Sequence, residues 1–205
     1  MEPEKIYELL KEKIIWLDLM PESILNLSEL AQSFKVSRTP IKEAMIFLQA
    51  DGWVLHQGSH FMVTPLSLER IKEITEIRSL IEIQANTWAM NRITTEESVA
   101  LGELEKEILQ IKDIASNKQM IELDVKFHRS LFQMAKNSQL AQLLERMLGQ
   151  YLRFWLSMPR EIKPQSFFSE TLEIIQAIKA KDEVKLRVSS AAHIKRSVDE
   201  IMVSF

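Results

Sequence analysis

The chain has 205 residues, 46% hydrophobic and 27% charged, with a formal net charge of −3 and no cysteine. That composition suits one large or two modest globular domains with substantial apolar cores. It excludes disulfides and thiolate metal sites; with no apolar run near the ~18–20 residues of a membrane span and no leader-like start in "MEPEK", a cytoplasmic protein is expected.

Residues 4–17 place Ile6, Leu9, Leu10, Ile14 and Leu17 at helical spacing, which predicts a first helix with one apolar face. The "LMPES" segment then turns the chain. Ser28 is placed to cap a helix running to Phe34, and Ser37 to cap the next, with Pro40 tolerated in its first turn. Ile41, Ala44, Met45 and Leu48 form the buried face of that helix, which Asp51 and Gly52 end. Two short runs around Gln57, Gly58 and Ser59 predict a β-hairpin, or wing. Pro65 begins a link, so residues 1–66 are expected to form one domain and 67–205 another. In the second, helical periodicity predicts six helices at about 68–91, 95–115, 117–136, 138–157, 165–180 and 182–204. The fold class expected is mainly α, an N-terminal winged helix-turn-helix followed by an all-α antiparallel bundle.

The two short helices hinged at Lys35–Ser37 carry the first functional signal. In a helix-turn-helix the second helix points its N-terminal residues into the major groove. Arg38 stands at that end and Lys42 one turn further on the same face. Arginine grips guanine O6 and N7 bidentately, whereas lysine is a point charge suited to phosphate or a looser base contact. Ser37 and Thr39 offer hydroxyls, and Lys35 lies in the turn where a phosphate would pass. His56, Gln57 and His60 in the wing are placed for the minor groove or the backbone. The pattern alone is compatible with DNA reading and with a protein-interaction module. Residues 1–66 hold six Lys/Arg against nine Asp/Glu, so a DNA-binding domain here would rely on a small local cluster, doubled in a dimer.

The run "VSRTPIKEAMIFLQADGWV" resembles the signature of the GntR family of bacterial winged helix-turn-helix repressors, V-S-R-T-P-V-R-E-A-L followed by L-x-x-x-G-W/L-V, and the likeness covers residues 5–66. It implies double-stranded DNA as partner. Three departures bear on the operator: Ser28 stands where the family often has a contacting arginine, Lys42 replaces its second recognition-helix arginine, and His60 its wing glycine, with Gly58 nearby.

The segment "DVKFH" puts Asp124 and His128 at i and i+4 on one helix face, able to share a metal, and His193 on the last helix is a possible third ligand. On spacing alone an Asp-x-x-x-His is more often a helix-surface pair or a satisfied core pair than a ligand set. Arg78 in "EIRSLIE", the "DVKFH" run, Asn137 before "SQLAQLL", "ETLEIIQAIKAKD" and "AAHI" follow the order of the FCD effector-binding domain of the FadR-like GntR branch. The likeness spans about 68–204, and six helices resemble the VanR-type subgroup. Metal-binding members use one Asp and three His. The resemblance assigns three of those positions to Asp124, His128 and His193 and the fourth to Thr171, 22 residues before His193. A threonine hydroxyl is a poorer ligand than imidazole, so a divalent Zn, Ni or Mn would be held by three residues plus an effector carboxylate or waters, or else the trio serves a metal-free pocket. Arg78 is placed either to pair with an anionic effector or to bridge to Glu82; Arg153 and Thr171 are further effector-site candidates.

The expected function is therefore a DNA-binding transcriptional regulator, a repressor, with a pseudo-palindromic operator, a homodimeric assembly and a small carboxylate effector in the helical domain. The alternative is a metal-dependent hydrolase or lyase on Asp124, His128 and His193 with Glu122 or Glu170 as base. It lacks H-E-x-x-H, G-x-S-x-G and phosphate-loop motifs, and leaves the Ser-Arg-Thr-Pro helix unexplained.

Overall fold

The computed structural model describes residues 1–58, 60–111, 115–159 and 161–205. They fall into two compact units, Met1–Ser67 and Leu68–Phe205.

In the first unit, α1 (Pro3–Ile15) starts with proline in its first turn and buries Ile6, Leu10 and Ile14. α2 (Leu27–Phe34) is capped by Asn26, not Ser28: its Oδ1 accepts from the Ser28 and Glu29 amides at 2.9 and 3.4 Å. Either residue type can cap, and the chain is already helical at Leu27, which leaves Ser28 inside the first turn. α2 ends on Lys35 in the left-handed conformation, φ 54°. α3 (Arg38–Ala50) packs on α1 and α2 through Ile41, Ala44, Met45 and Leu48, all fully buried. Gly52, at φ 76°, turns the chain out of α3 where a side chain would be strained. Tyr7 Oη donates to Asp51 Oδ2 at 2.6 Å and ties α1 to that corner.

The wing strands are β2 (Val54–Gln57) and β3 (His60–Val63), paired antiparallel with Gln57 opposite His60. The tip residue Ser59 lies outside the described residues. A third strand that the sequence reading missed, β1 (Ile24–Leu25), pairs with the other edge of β3, giving the order β1-β3-β2.

The second unit contains α4 (Leu68–Arg92), α5 (Thr95–Gln110), α6 (Asn117–Met134), α7 (Ser138–Leu156), α8 (Pro164–Phe167), α9 (Ser169–Ala180) and α10 (Glu183–Ser204). Most start on identifiable caps: Thr94 and Ser116 make reciprocal capping boxes with Glu97 and Gln119, and Asn137 and Asp182 accept from the Leu140 and Lys185 amides. The helix expected over 165–180 is divided at Phe168 (φ −101°, ψ 4°), leaving α8 as a single turn. The helix expected to reach 115 ends at Gln110; positions 112–114 lie outside the described residues, as does Arg160 in the 158–164 connection. α4 packs against α6, α7, α9 and α10 and forms the centre of the bundle. Among the described residues no helix is long and apolar enough to cross a membrane.

Candidate DNA interface and metal centre

Burial of one face of α3 dictates what the other presents. With Ile41, Ala44, Met45 and Leu48 turned into the core, Arg38, Thr39 and Lys42 are exposed, and so are Ser37 and Lys35 in the preceding turn. Ser37 occupies the N-cap position of α3 but makes no side-chain capping bond. The first amides of α3 are therefore not satisfied by their own cap, and a helix start of that kind favours a phosphate oxygen. In the wing, His56, Gln57 and His60 are exposed, and His56 stands edge-on to Phe61 at 4.9 Å.

The helical unit places its polar residues where an apolar core is expected. Arg78, Glu82 and Asn86 repeat at one-turn spacing on α4 and are at most 2% exposed. Arg78 Nε donates to Glu82 Oε2 at 2.7 Å, and the guanidinium lies over the Tyr151 ring, 4.2 Å from its centroid. The Glu82 Oε1 faces His128 Nδ1 at 3.3 Å. On its far side His128 Nε2 lies 3.5 Å from Asp124 Oδ2 and 3.2 Å from His193 Nε2. Helices α4, α6 and α10 thus deliver one connected chain: Arg78, Glu82, His128, then Asp124 and His193.

Charge within this chain follows from burial and neighbours. Burial alone would lower the pKa of His128, but the Asp124 and Glu82 carboxylates outweigh it and push it up to about 9. Burial and the adjacent His128 bring His193 down to about 4, so it is neutral near pH 7. Burial works against ionised Glu82 and Asp124 too, yet their cationic neighbours, Arg78 and His128 for Glu82 and His128 for Asp124, hold both below the usual carboxylate range.

The donor set fits a metal ion. The ligand atoms of Asp124, His128 and His193 all lie within 4.8 Å of one another. Atoms bound about 2.0–2.2 Å from one ion stand roughly 3.3 Å apart in a tetrahedron, close to the two separations at His128 Nε2. Among the described residues, Asp124 Oδ1, His193 Nδ1 and Thr171 Oγ1 are buried without a hydrogen-bond partner. The carboxylate–histidine contact from Glu82 to Nδ1 is the outer support that metal-bound histidines generally have.

Of the two roles the sequence left open for Arg78, the ion pair with Glu82 is formed, and Arg78 also lines the cavity beside the trio. Arg153 is 1% exposed and donates to Gln150 Oε1 at 3.1 Å; burial and the charge of Arg70 lower its pKa to about 10. Neither Arg153 nor Thr171 lines that cavity. Glu122 is exposed, and Glu170 accepts from Arg196 Nε at 2.6 Å. Glu82 and Arg196 are the functional candidates that sequence reading missed. The signal for Glu82 was its one-turn spacing from Arg78 and Asn86, whereas Arg196, with Asp199 and Glu200 one turn on and its side chain 21% exposed, carried none.

A winged helix-turn-helix joined to a helical unit with a polar interior defines a class of DNA-binding transcriptional regulator. Residues 3–61 match the profile of the bacterial regulatory proteins of the gntR family, and residues 73–196 match the FCD domain. The chain belongs to the GntR family of transcriptional regulators, in the FadR-like branch that carries an FCD domain. A Bacillus subtilis relative, the uncharacterized HTH-type transcriptional regulator YdhC, is 28% identical over 96% of this chain and 89% of its own length. The Escherichia coli HTH-type transcriptional repressor RspR is 24% identical over 97% of this chain and 88% of its own. The fold matches that of E. coli McbR/YncC with a TM-score of 0.85 at 20% identity, covering 98% of this chain and 97% of that one. Family membership sets the hydrolase or lyase alternative aside: the protein is a regulator and not an enzyme.

Proposed function

We propose that the protein is a cytoplasmic transcriptional repressor that reads a pseudo-palindromic operator as a homodimer and responds to a small carboxylate effector in its helical unit. The observation that carries this reading is the α3 surface. Arg38, Thr39 and Lys42 project from a helix whose opposite face is fully buried. Arg38 is the principal base reader and Lys42 the second, with Lys35, Ser37 and Thr39 on phosphates and His56, Gln57 and His60 in the wing. The exposed apolar side chains Ile77 and Leu80 on α4 and Val184 and Val188 on α10 suit coverage by a second copy.

In the helical unit Asp124, His128 and His193 hold one divalent transition ion, Zn, Ni or Mn, and Arg78, which lines the same cavity, is the further effector-site residue. The ion, when bound, supplies a positive Lewis-acid centre for an anionic group. Glu82 orients His128 so that Nε2 faces the ion, and neutral His193 offers its Nε2 lone pair. Six main helices and this donor set favour the VanR-type subgroup. Repression requires that effector and operator prefer different arrangements of the dimer.

The test is selection of bound fragments from the host genome. The wild-type chain should retain a small set sharing an inverted repeat, and Arg38→Ala, equally stable, should lose at least about tenfold in affinity for them. Retention unchanged by Arg38→Ala would exclude α3 as the reader.

A further inference from the structure

The face of α3 opposite its buried stripe is not made of polar residues alone. Ile46 projects from it and is 51% exposed. It follows Lys42 by four residues and Arg38 by eight, so the three side chains form one exposed row, each a turn from the next. Successive residues advance about 100° around a helix. That sets Ile46 between Lys42 and Thr39, in the arc turned away from Ile41, Ala44, Met45 and Leu48. Its neighbour Phe47 is also half-exposed, but that ring meets Tyr7 of α1 edge to face, with centroids 6.5 Å apart. A single exposed apolar side chain is ordinary on a protein surface. What distinguishes Ile46 is its continuity with the residues that face DNA.

Isoleucine offers neither a hydrogen bond nor a charge. On a base edge it can recognise one group, the C5 methyl that thymine displays in the major groove and cytosine lacks. Its branched Cβ keeps one strongly preferred χ1 rotamer on a helix, so little side-chain freedom is lost on contact. At 1.5 Å per residue, Ile46 lies roughly 12 Å beyond Arg38 along α3. With 3.4 Å between stacked base pairs, that is roughly three to four base pairs. Arg38 and Ile46 can therefore read two separate positions of one half-site.

We propose that Ile46 is a further specificity-determining residue, which packs on the methyl group of a thymine about three to four base pairs from the guanine that Arg38 reads. This rests on the regulator reading above, in which α3 is the DNA-reading helix. The contact separates T·A from C·G at its position by apolar burial alone. Unlike the arginine and lysine contacts, it neutralises no phosphate and adds nothing to the salt dependence of binding.

The experiment replaces the thymines of a retained genomic fragment by uracil, one at a time, which deletes the methyl and keeps the base pair. Fluorescence anisotropy then gives the affinity of the full chain, as wild type, Ile46→Ala and Ile46→Leu, for each fragment. For the wild type, loss of the methyl should cost about threefold to fourfold at one thymine. That thymine should lie within about four base pairs of the position where Arg38→Ala relaxes specificity. Ile46→Ala should bind its thymine and uracil forms equally well, and Ile46→Leu should keep most of the discrimination. The ratio is read within each variant, so a general loss of affinity or of folding does not imitate the result. The inference is overturned if no thymine methyl matters to the wild type, or if the ratio is unchanged in Ile46→Ala. It is also overturned if Ile46→Ala shifts the sedimentation of the free protein and not the ratio, which would assign the side chain to a protein contact. In each of these cases, fragments retained through Arg38 leave the regulator reading standing. Retention of no fragment overturns that reading, and this inference with it.

Discussion

Glu82 divides its carboxylate between two cations, Oε2 on Arg78 and Oε1 on His128, inside a helix bundle where it is 1% exposed. Removing either partner would leave an uncompensated buried charge, which typically costs about 3–5 kcal/mol. The contact at Nδ1 also decides which imidazole nitrogen turns toward Asp124 and His193, so one carboxylate serves stability and site geometry together. The two histidines give the metal-free protein a definite pH response between about 4 and 9. His128 is raised to about 9 in the fold. Its contribution is complete below the unfolded value near 6.5 and is lost as pH rises through 9. His193 is lowered to about 4. The unfolded chain therefore binds a proton that the fold refuses, and stability falls as pH drops from 6.5 toward 4. Denaturant midpoints of chelator-treated protein should peak near pH 6.5, and His128→Gln should flatten the alkaline limb. A wild-type midpoint constant from 6.5 to 9 would contradict the assigned protonation of His128.

The turn between α2 and α3 shows how local conformation and function compete for one position. Lys35 sits at φ 54°, a conformation glycine adopts without cost and lysine does not. Its charge lies where a phosphate is expected to pass. Lys35→Gly should therefore raise stability by up to about 1 kcal/mol and weaken operator binding several-fold with a shallower salt dependence. Unfolding and DNA titrations on one preparation check this; loss of stability together with binding would place Lys35 in the fold alone. α3 and the wing hairpin were legible because a buried 3.6-residue stripe and a glycine turn are local signals. β1 was not: two residues carry no periodicity, and Ile24 and Leu25 pair with Met62 and Phe61, far along the chain. The division at Phe168 was hidden for a related reason, since Phe167 and Phe168 are both buried and read as a continuous apolar helix. Asp124, His128 and His193 were legible as a possible ligand set through spacing and resemblance. Glu82 was visible only as a local partner for Arg78, because its contact with His128 is made between helices.

The DNA-binding helices and the residues that could hold an ion belong to different compact units, Met1–Ser67 and Leu68–Phe205. Regulation requires that occupancy of one changes the affinity of the other, by a coupling that typically lies near 1–3 kcal/mol. α4 is the element on which such coupling would have to act within the bundle. It follows the link from the winged helix directly, carries Arg78 and Glu82, and packs on α6, which bears Asp124 and His128, and on α10, which bears His193. An ion that replaces the proton on His128 changes the charge facing Glu82, and therefore the electrostatic environment of α4 itself. The decisive measurement is the affinity for a selected operator fragment, by fluorescence anisotropy, of zinc-loaded and chelator-stripped protein at equal concentration. The two should differ by at least about fivefold, and the difference should vanish in His128→Ala. Equal affinities for loaded and stripped protein would contradict an ion-linked regulator.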